Sequence, residues 1–198
     1  MRAPAIQLTA RSGFSLVEMV IALTISSLVI AVFYGTIANM QKQYRGQRDT
    51  RTAEESLRMA EQVLRTILQT ATADPLLTGQ ALLDADPMGN GAQFDDLRVK
   101  SDFNPPDGDF NDELEDVRVR VQADTMMVQW SNTGSYQALV YPVRSITFEY
   151  FDAAGTPLTT VGTAANAKSV RFTIAAPESP VSNTLRRRQS WVFLQNRR

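Results

Sequence analysis

The stretch GFSLVEMVIALTISSLVIAVF, residues 13 to 33, sets one carboxylate, Glu18, near the start of a run that is otherwise uncharged. A carboxylate in hydrocarbon costs at least about 3 kcal/mol on insertion scales, so its presence calls for a compensating partner. No charged side chain occurs from residue 19 to residue 41. As a helix, those roughly 23 residues would rise about 34 Å, enough to cross a hydrocarbon core of about 30 Å. A cleaved secretory signal would have a shorter apolar core and a small-residue step just after it. The sequence that follows here, ANMQKQY (38 to 44), has no such step. A buried helix of a soluble domain rarely stays uncharged for so long. A membrane-inserted helix is the expectation.

Composition narrows the chemistry. Twenty Lys+Arg balance 21 Asp+Glu over 198 residues, which gives no global pull toward nucleic acid. Cysteine and histidine are both absent. That removes disulfides, thiolate nucleophiles, zinc-thiolate sites and any Ser-His-Asp triad. An enzyme would have to work with carboxylates, Ser/Lys or Tyr, so none is expected.

Gly13-Phe14-Ser15-Leu16-Val17-Glu18, behind a leader with Arg2 and Arg11, resembles the processing site of type IV prepilins and pseudopilins. The resemblance covers leader, cleavage site and apolar helix. It implies that prepilin peptidase cuts after Gly13 and that Phe14 becomes the N-methylated first residue. Glu18 is then the fifth residue of the mature chain. In a filament of such helices, the Phe14 amine of one copy can approach Glu18 of a neighbour. At roughly 4 Å and an effective dielectric near 20, the pair attracts by about 4 kcal/mol before desolvation. Glu18 therefore reads as an assembly determinant, against the plainer reading of a charge snorkelling to the interface. Gly35, within the helix, suits either local melting or close packing on another helix. Lys42, Arg45, Arg48 and Arg51 follow the span. Charge alone thus favours the reverse of the topology that the resemblance implies, a single pass of the inner membrane with the head in the periplasm.

Ala53, Leu57, Ala60, Leu64, Ile67 and Ala71 recur at three- and four-residue spacing, and Asp74-Pro75 supplies a stop. A continuous helix from about 14 to 73 is expected, first in lipid or filament core and then under a head. The implied division is leader 1–13, membrane or filament-core helix 14–38, helix continuation 39–74 and β-rich head 75–198. Residues 76 to 94 read as loop with at most one short element. Period-two segments follow at 117–122, 125–130, 136–141, 144–151, 168–176 and 189–195. Six or seven antiparallel strands after one long helix make an α+β fold of pilin type. The order of these pieces, with the turn after Phe148, Tyr150, Phe151, Asp152 and Gly155, resembles PilW-like minor pilins and the related J-type pseudopilins of type II secretion. Strict alternation would pack Trp130 and Trp191 into the sheets.

SDFNPPDGDFNDELED, residues 101 to 116, gathers Asp102, Asn104, Asp107, Asp109, Asp112 and Glu115 around Gly108. Calcium takes six to eight such oxygens, and similar loops occur here in PilW-like proteins. Pro105-Pro106 departs from EF-hand spacing, and a solvated acidic turn is the alternative. Arg186, Arg187, Arg188, Arg197 and Arg198 either meet this loop on a neighbouring subunit or guard the WVFL edge against aggregation. The expected function is a minor pilin or pseudopilin that helps initiate a type IV pilus-like filament with other pilins, without nucleic acid. The alternatives are a J-type minor pseudopilin, a membrane-anchored periplasmic binding domain, and an enzyme using Glu149 or Asp152.

Overall fold

A computed structural model describes residues 15–71, 83–86, 95–102, 106–107, 109–110, 112–160, 163, 166–179 and 183–194. Its first element, α1 (Leu16–Thr70), is 55 residues long. The leader 1–13, Phe14, Asn104, Gly108, Arg197 and Arg198 lie outside the described residues.

The chain divides into two compact units, Met1–Gly46 and Gln47–Arg198. In the first, every described residue of α1 is exposed. In the second, α1 becomes amphipathic. Ala53, Ser56, Leu57, Ala60, Leu64, Ile67 and Leu68 are buried at helical spacing, while Glu54, Glu55 and Arg58 stay exposed.

Among the described residues nine strands follow in two antiparallel sheets. The first contains β1 (Leu83–Asp84), β2 (Leu97–Lys100), β3 (Asp116–Gln122), β4 (Thr125–Gln129) and β5 (Gln137–Val140), paired in chain order. The second contains β6 (Ser145–Phe151), β7 (Pro157–Leu158), β8 (Ser169–Pro177) and β9 (Leu185–Phe193), in the order β7-β6-β8-β9. One core joins the helix face to both sheets, through Leu97, Val119 and Val128 of the first and Phe148, Tyr150 and Phe172 of the second. Burial pushes the Tyr150 phenol far above its ordinary value, and the charges of Asp96 and Asp84 add to the shift.

Local chemistry fixes the turns. Ala123 (φ 50) and Asp124 (φ 57) are both left-handed, the geometry of a two-residue hairpin that matches strand twist. The Asp124 carbonyl accepts from Val143 N at 2.8 Å, tying this hairpin to the β5–β6 connection. After β6, Asp152 Oδ1 accepts from the amides of Ala154 (2.9 Å) and Thr156 (2.8 Å). Gly155 takes φ 80 in that turn, where a side chain would be strained.

Three details correct the sequence expectation. β2 and β7 were not anticipated, being four and two residues long. The last strand runs 185–193 instead of 189–195, because its arginines are ladder residues: Arg186, Arg187 and Arg188 pair with Ala176, Ala175 and Ile174 of β8. Trp191 does not pack away; it is 41 % exposed, its ring 4.7 Å from Phe151.

Asp116 anchors the first sheet. Its side chain is 1 % exposed and takes a two-point hydrogen bond from Arg98 at 2.8 and 2.5 Å, with Arg118 Nε at 3.6 Å. Burial alone would raise its pKa, but the Arg98 bonds and charge, helped by Arg118 and Lys100, hold it below the ordinary aspartate range. The folded-state pKa is the lower one, so this stabilisation is complete above the unfolded value near 4 and is lost as pH falls through the folded value. Urea unfolding at pH 7 should show Asp116→Asn less stable by about 1–3 kcal/mol, with the difference shrinking as pH falls below about 4.

Candidate functional site

Glu18 stands in the first turn of α1, and its position follows from local chemistry. Ser15 precedes the helix, its Oγ accepting from Val17 N at 3.3 Å. Glu18 Oε2 accepts from Ser15 N at 3.1 Å. The S-x-x-E pattern is that of a capping box, here with the serine on the N2 amide, and the two side chains satisfy amide donors left open at a helix start. The carboxylate also faces the positive end of the helix dipole. Ser15-Leu16-Val17-Glu18 carries that signature in plain sight; sequence reasoning took Glu18 for its charge and passed over Ser15. Within one chain, then, Glu18 has a local partner. A filament neighbour's amine would compete with that partner instead of meeting a bare charge.

Behind the cap the helix is apolar on every side. Its most apolar 18-residue window has mean hydropathy 2.5 and none of it is buried. Leu16, Leu28 and Tyr34 are 79, 69 and 72 % exposed. Three of its hydroxyls turn back on the helix: Thr24 Oγ1 donates to Val20 O at 2.7 Å, Ser27 Oγ to Thr24 O at 2.8 Å and Thr36 Oγ1 to Val32 O at 2.9 Å. With those hydroxyls satisfied, the surface suits hydrocarbon or other apolar helices. Among the described residues α1 alone is long and apolar enough to cross a membrane. A Cβ at Gly35 would meet nothing within 4 Å, so this chain's own packing does not require the glycine.

Residues 8–34 match the family model of the prokaryotic N-terminal methylation motif. No curated protein matches the chain. The segment found in common therefore spans Gly13, Phe14 and Glu18 and stops inside the apolar helix. The chain carries a type IV prepilin-like N terminus on an α+β head.

The acidic loop is partly dispersed. Asp102 is fully buried, and its Oδ1 accepts from Asp107 N at 3.1 Å. Asp107 Oδ1 accepts from Asp109 N at 3.0 Å. Glu115 is buried and its carbonyl accepts from Ser101 N at 2.9 Å, while Leu114, at φ 75, donates its amide to Trp130 O at 2.7 Å. Asp112 is half-buried, with its carbonyl accepting from Glu115 N at 3.3 Å. Among the described residues no group of three or more carboxylates is placed to hold a metal ion. The carboxylates brought together, Asp102 and Asp107, close the loop by accepting backbone amides.

Two of the tail arginines, Arg186 and Arg188, meet partners within the subunit. Arg186 bridges Glu54 of α1 (2.6 Å) and Glu178 (3.0 Å), and Arg188 pairs with Glu61 of α1. Arg65 donates to Ser190 Oγ at 2.6 Å. Burial alone would raise the Glu61 pKa; hydrogen bonds from Arg188, Ser190 and Arg65, with the Arg188 charge, carry it below its ordinary value. These contacts hold β9 against the helix, a role that the sequence readings of neighbour binding and edge protection did not include.

The calcium expectation for this loop is read by the melting temperature of the full chain in millimolar calcium, which a solvated acidic turn leaves unchanged. A specific calcium site raises it progressively with calcium concentration by mass action.

Proposed function

We propose that this protein is a structural subunit of a type IV pilus-like filament, a minor pilin or pseudopilin that helps initiate assembly. The observation that carries the reading is the methylation motif at residues 8–34 joined to an exposed apolar helix with Glu18 in its first turn. In this mechanism prepilin peptidase removes residues 1–13 in the inner membrane and the Phe14 amine is methylated. The apolar helices then bundle, and Glu18 exchanges its bond to Ser15 N for the amine of a neighbour. The exchange replaces a neutral donor with a cation, which makes a stronger hydrogen bond. A subunit at the extreme tip lacks an upper neighbour needing that carboxylate, so Glu18 favours a place just below the tip. The β head, on the periplasmic side before assembly, supplies lateral contacts to other pilins.

A non-enzymatic role is part of the proposal. The two carboxylates first considered for catalysis have structural employment: Glu149 pairs with Arg171, and Asp152 holds its turn. PilW-like membership rests on the resemblance of residues 102 to 155, and a J-type pseudopilin of type II secretion is the sister reading. Both predict the same N-terminal chemistry.

Glu18→Ala and Glu18→Gln should leave leader cleavage intact and reduce recovery of the protein in sheared filaments at least tenfold. Glu18→Asp should retain part of it. Immunoblots of filament and membrane fractions read both quantities, and normal incorporation of Glu18→Ala would refute the assembly role.

A further inference from the structure

The outer face of the second sheet carries a patterned set of side chains. Successive strand residues alternate between faces, and Ile146, Phe148, Phe172 and Val192 are in the core. The odd-numbered residues of β6, β8 and β9 therefore face away from it. Cross-strand register sets them in rows: Thr147, Thr173 and Gln189; then Glu149, Arg171 and Trp191; then Phe151, Ser169 and Phe193. Phe151 is 7 % exposed beneath Trp191, whereas Trp191 and Phe193 are 41 and 71 % exposed. The Arg171 guanidinium lies 5.2 Å from the ring centres of both Phe151 and Trp191, and its Nε donates to Glu149 Oε2. Gln189 Nε2 donates to Thr173 Oγ1 at 3.3 Å. Phe151 and Arg171 thus hold the indole in place while a large part of it stays open.

A cavity of about 180 Å³ adjoins this face, and Glu149, Phe151, Pro157 and Arg171 are in its lining. Pro157 pairs with Phe151 and so shares its face. Phe151 and Arg171, both contacts of Trp191, connect the cavity to the open indole. The volume is below the roughly 300–1,000 Å³ usual for drug-sized ligands and suits a single small ring. The chemistry narrows the occupant. An apolar partner would strip water from the Glu149–Arg171 pair and return no hydrogen bond, leaving a desolvation cost uncompensated. An anion would meet the Glu149 carboxylate, which already neutralises Arg171. A neutral ring with hydroxyl edges and C–H faces suits both parts. Its hydroxyls donate to the carboxylate and accept from the guanidinium, and its C–H faces lie on the aromatic surface.

We propose that this face binds a neutral saccharide chain. One sugar ring enters the cavity and bonds through its hydroxyls to Glu149 and Arg171. An adjoining ring lays its C–H face on Trp191, and Phe193 extends the platform along β9. All of these residues belong to the β head, and none of this chemistry requires a filament.

The test uses the full-length chain in a detergent without a sugar headgroup, which would compete. The probes are three neutral hexasaccharides, cellohexaose, chitohexaose and maltohexaose, with heparin as the polyanionic control, and titration calorimetry reads binding. At least one neutral probe is expected to bind at millimolar concentration or below. Its affinity should fall at least tenfold with Trp191→Ala and with Glu149→Gln. Circular dichroism checks that each variant is folded. If Trp191→Ala is not, because Phe151 loses its cover, Phe193→Ala replaces it, with a loss of at least threefold expected from an exposed side chain. No binding of any neutral probe, undiminished binding by the folded variants, or tighter binding of heparin would each overturn the inference. Leader removal is read separately by mass, so a face that binds no sugar leaves the filament reading standing.

Discussion

The head depends on the buried face of α1. Among the described strands none pairs from one sheet to the other; the two are joined through a shared apolar core. Ala53, Leu57, Ala60, Leu64 and Leu68 supply the helix side of that core. The small residues let the helix come close, and the leucines supply area, each worth about 1.5–3 kcal/mol when fully buried. Polar contacts then fix the register. Ser56 Oγ donates to Tyr141 O at 2.8 Å, while Glu54, Glu61 and Arg65 engage Arg186, Arg188 and Ser190 of β9.

The first half of α1 obeys a different solvent. Before Lys42 the sequence encodes an apolar cylinder instead of an apolar stripe, with the hydroxyls of Thr24, Ser27 and Thr36 folded back on the backbone. The capping box at Ser15 and Glu18 lets a carboxylate stand at the head of such a cylinder while the chain is alone. The bond is local and exposed, so it is easily exchanged for a cation. That combination suits the assembly proposed for Glu18: tolerated in the monomer and better satisfied in a polymer.

Much of this was legible in the sequence because two periods dominate it. The apolar run and the three-and-four spacing that follows imply one long helix, and VRVRV or SITFEYF imply strands. What escaped were elements whose signal is not hydrophobic alternation. LRVK is too short to show a period beside a Gly- and Asp-rich loop. Arg186 to Arg188 look like a charged terminus until Glu54 and Glu61, more than a hundred positions away, are seen to receive two of them. Trp191 alternates as expected, but on the outer face of β9, where it covers Phe151. In the acidic loop, Asp102 and Asp107 each accept a backbone amide, a local use of their oxygens that spacing alone does not reveal. The helix cap is legible in Ser15-Leu16-Val17-Glu18 as an S-x-x-E pattern, a signal separate from the charge of Glu18.

The central claim is that the N terminus is made by processing at Gly13-Phe14. It is tested most directly by N-terminal sequencing and intact mass of the chain recovered from its native membrane, with and without prepilin peptidase. The expected product begins at N-methylated Phe14 only when the peptidase is present. A chain that still begins at Met1 in its presence, or is cut elsewhere, would contradict the filament assignment and leave a membrane-anchored α+β domain.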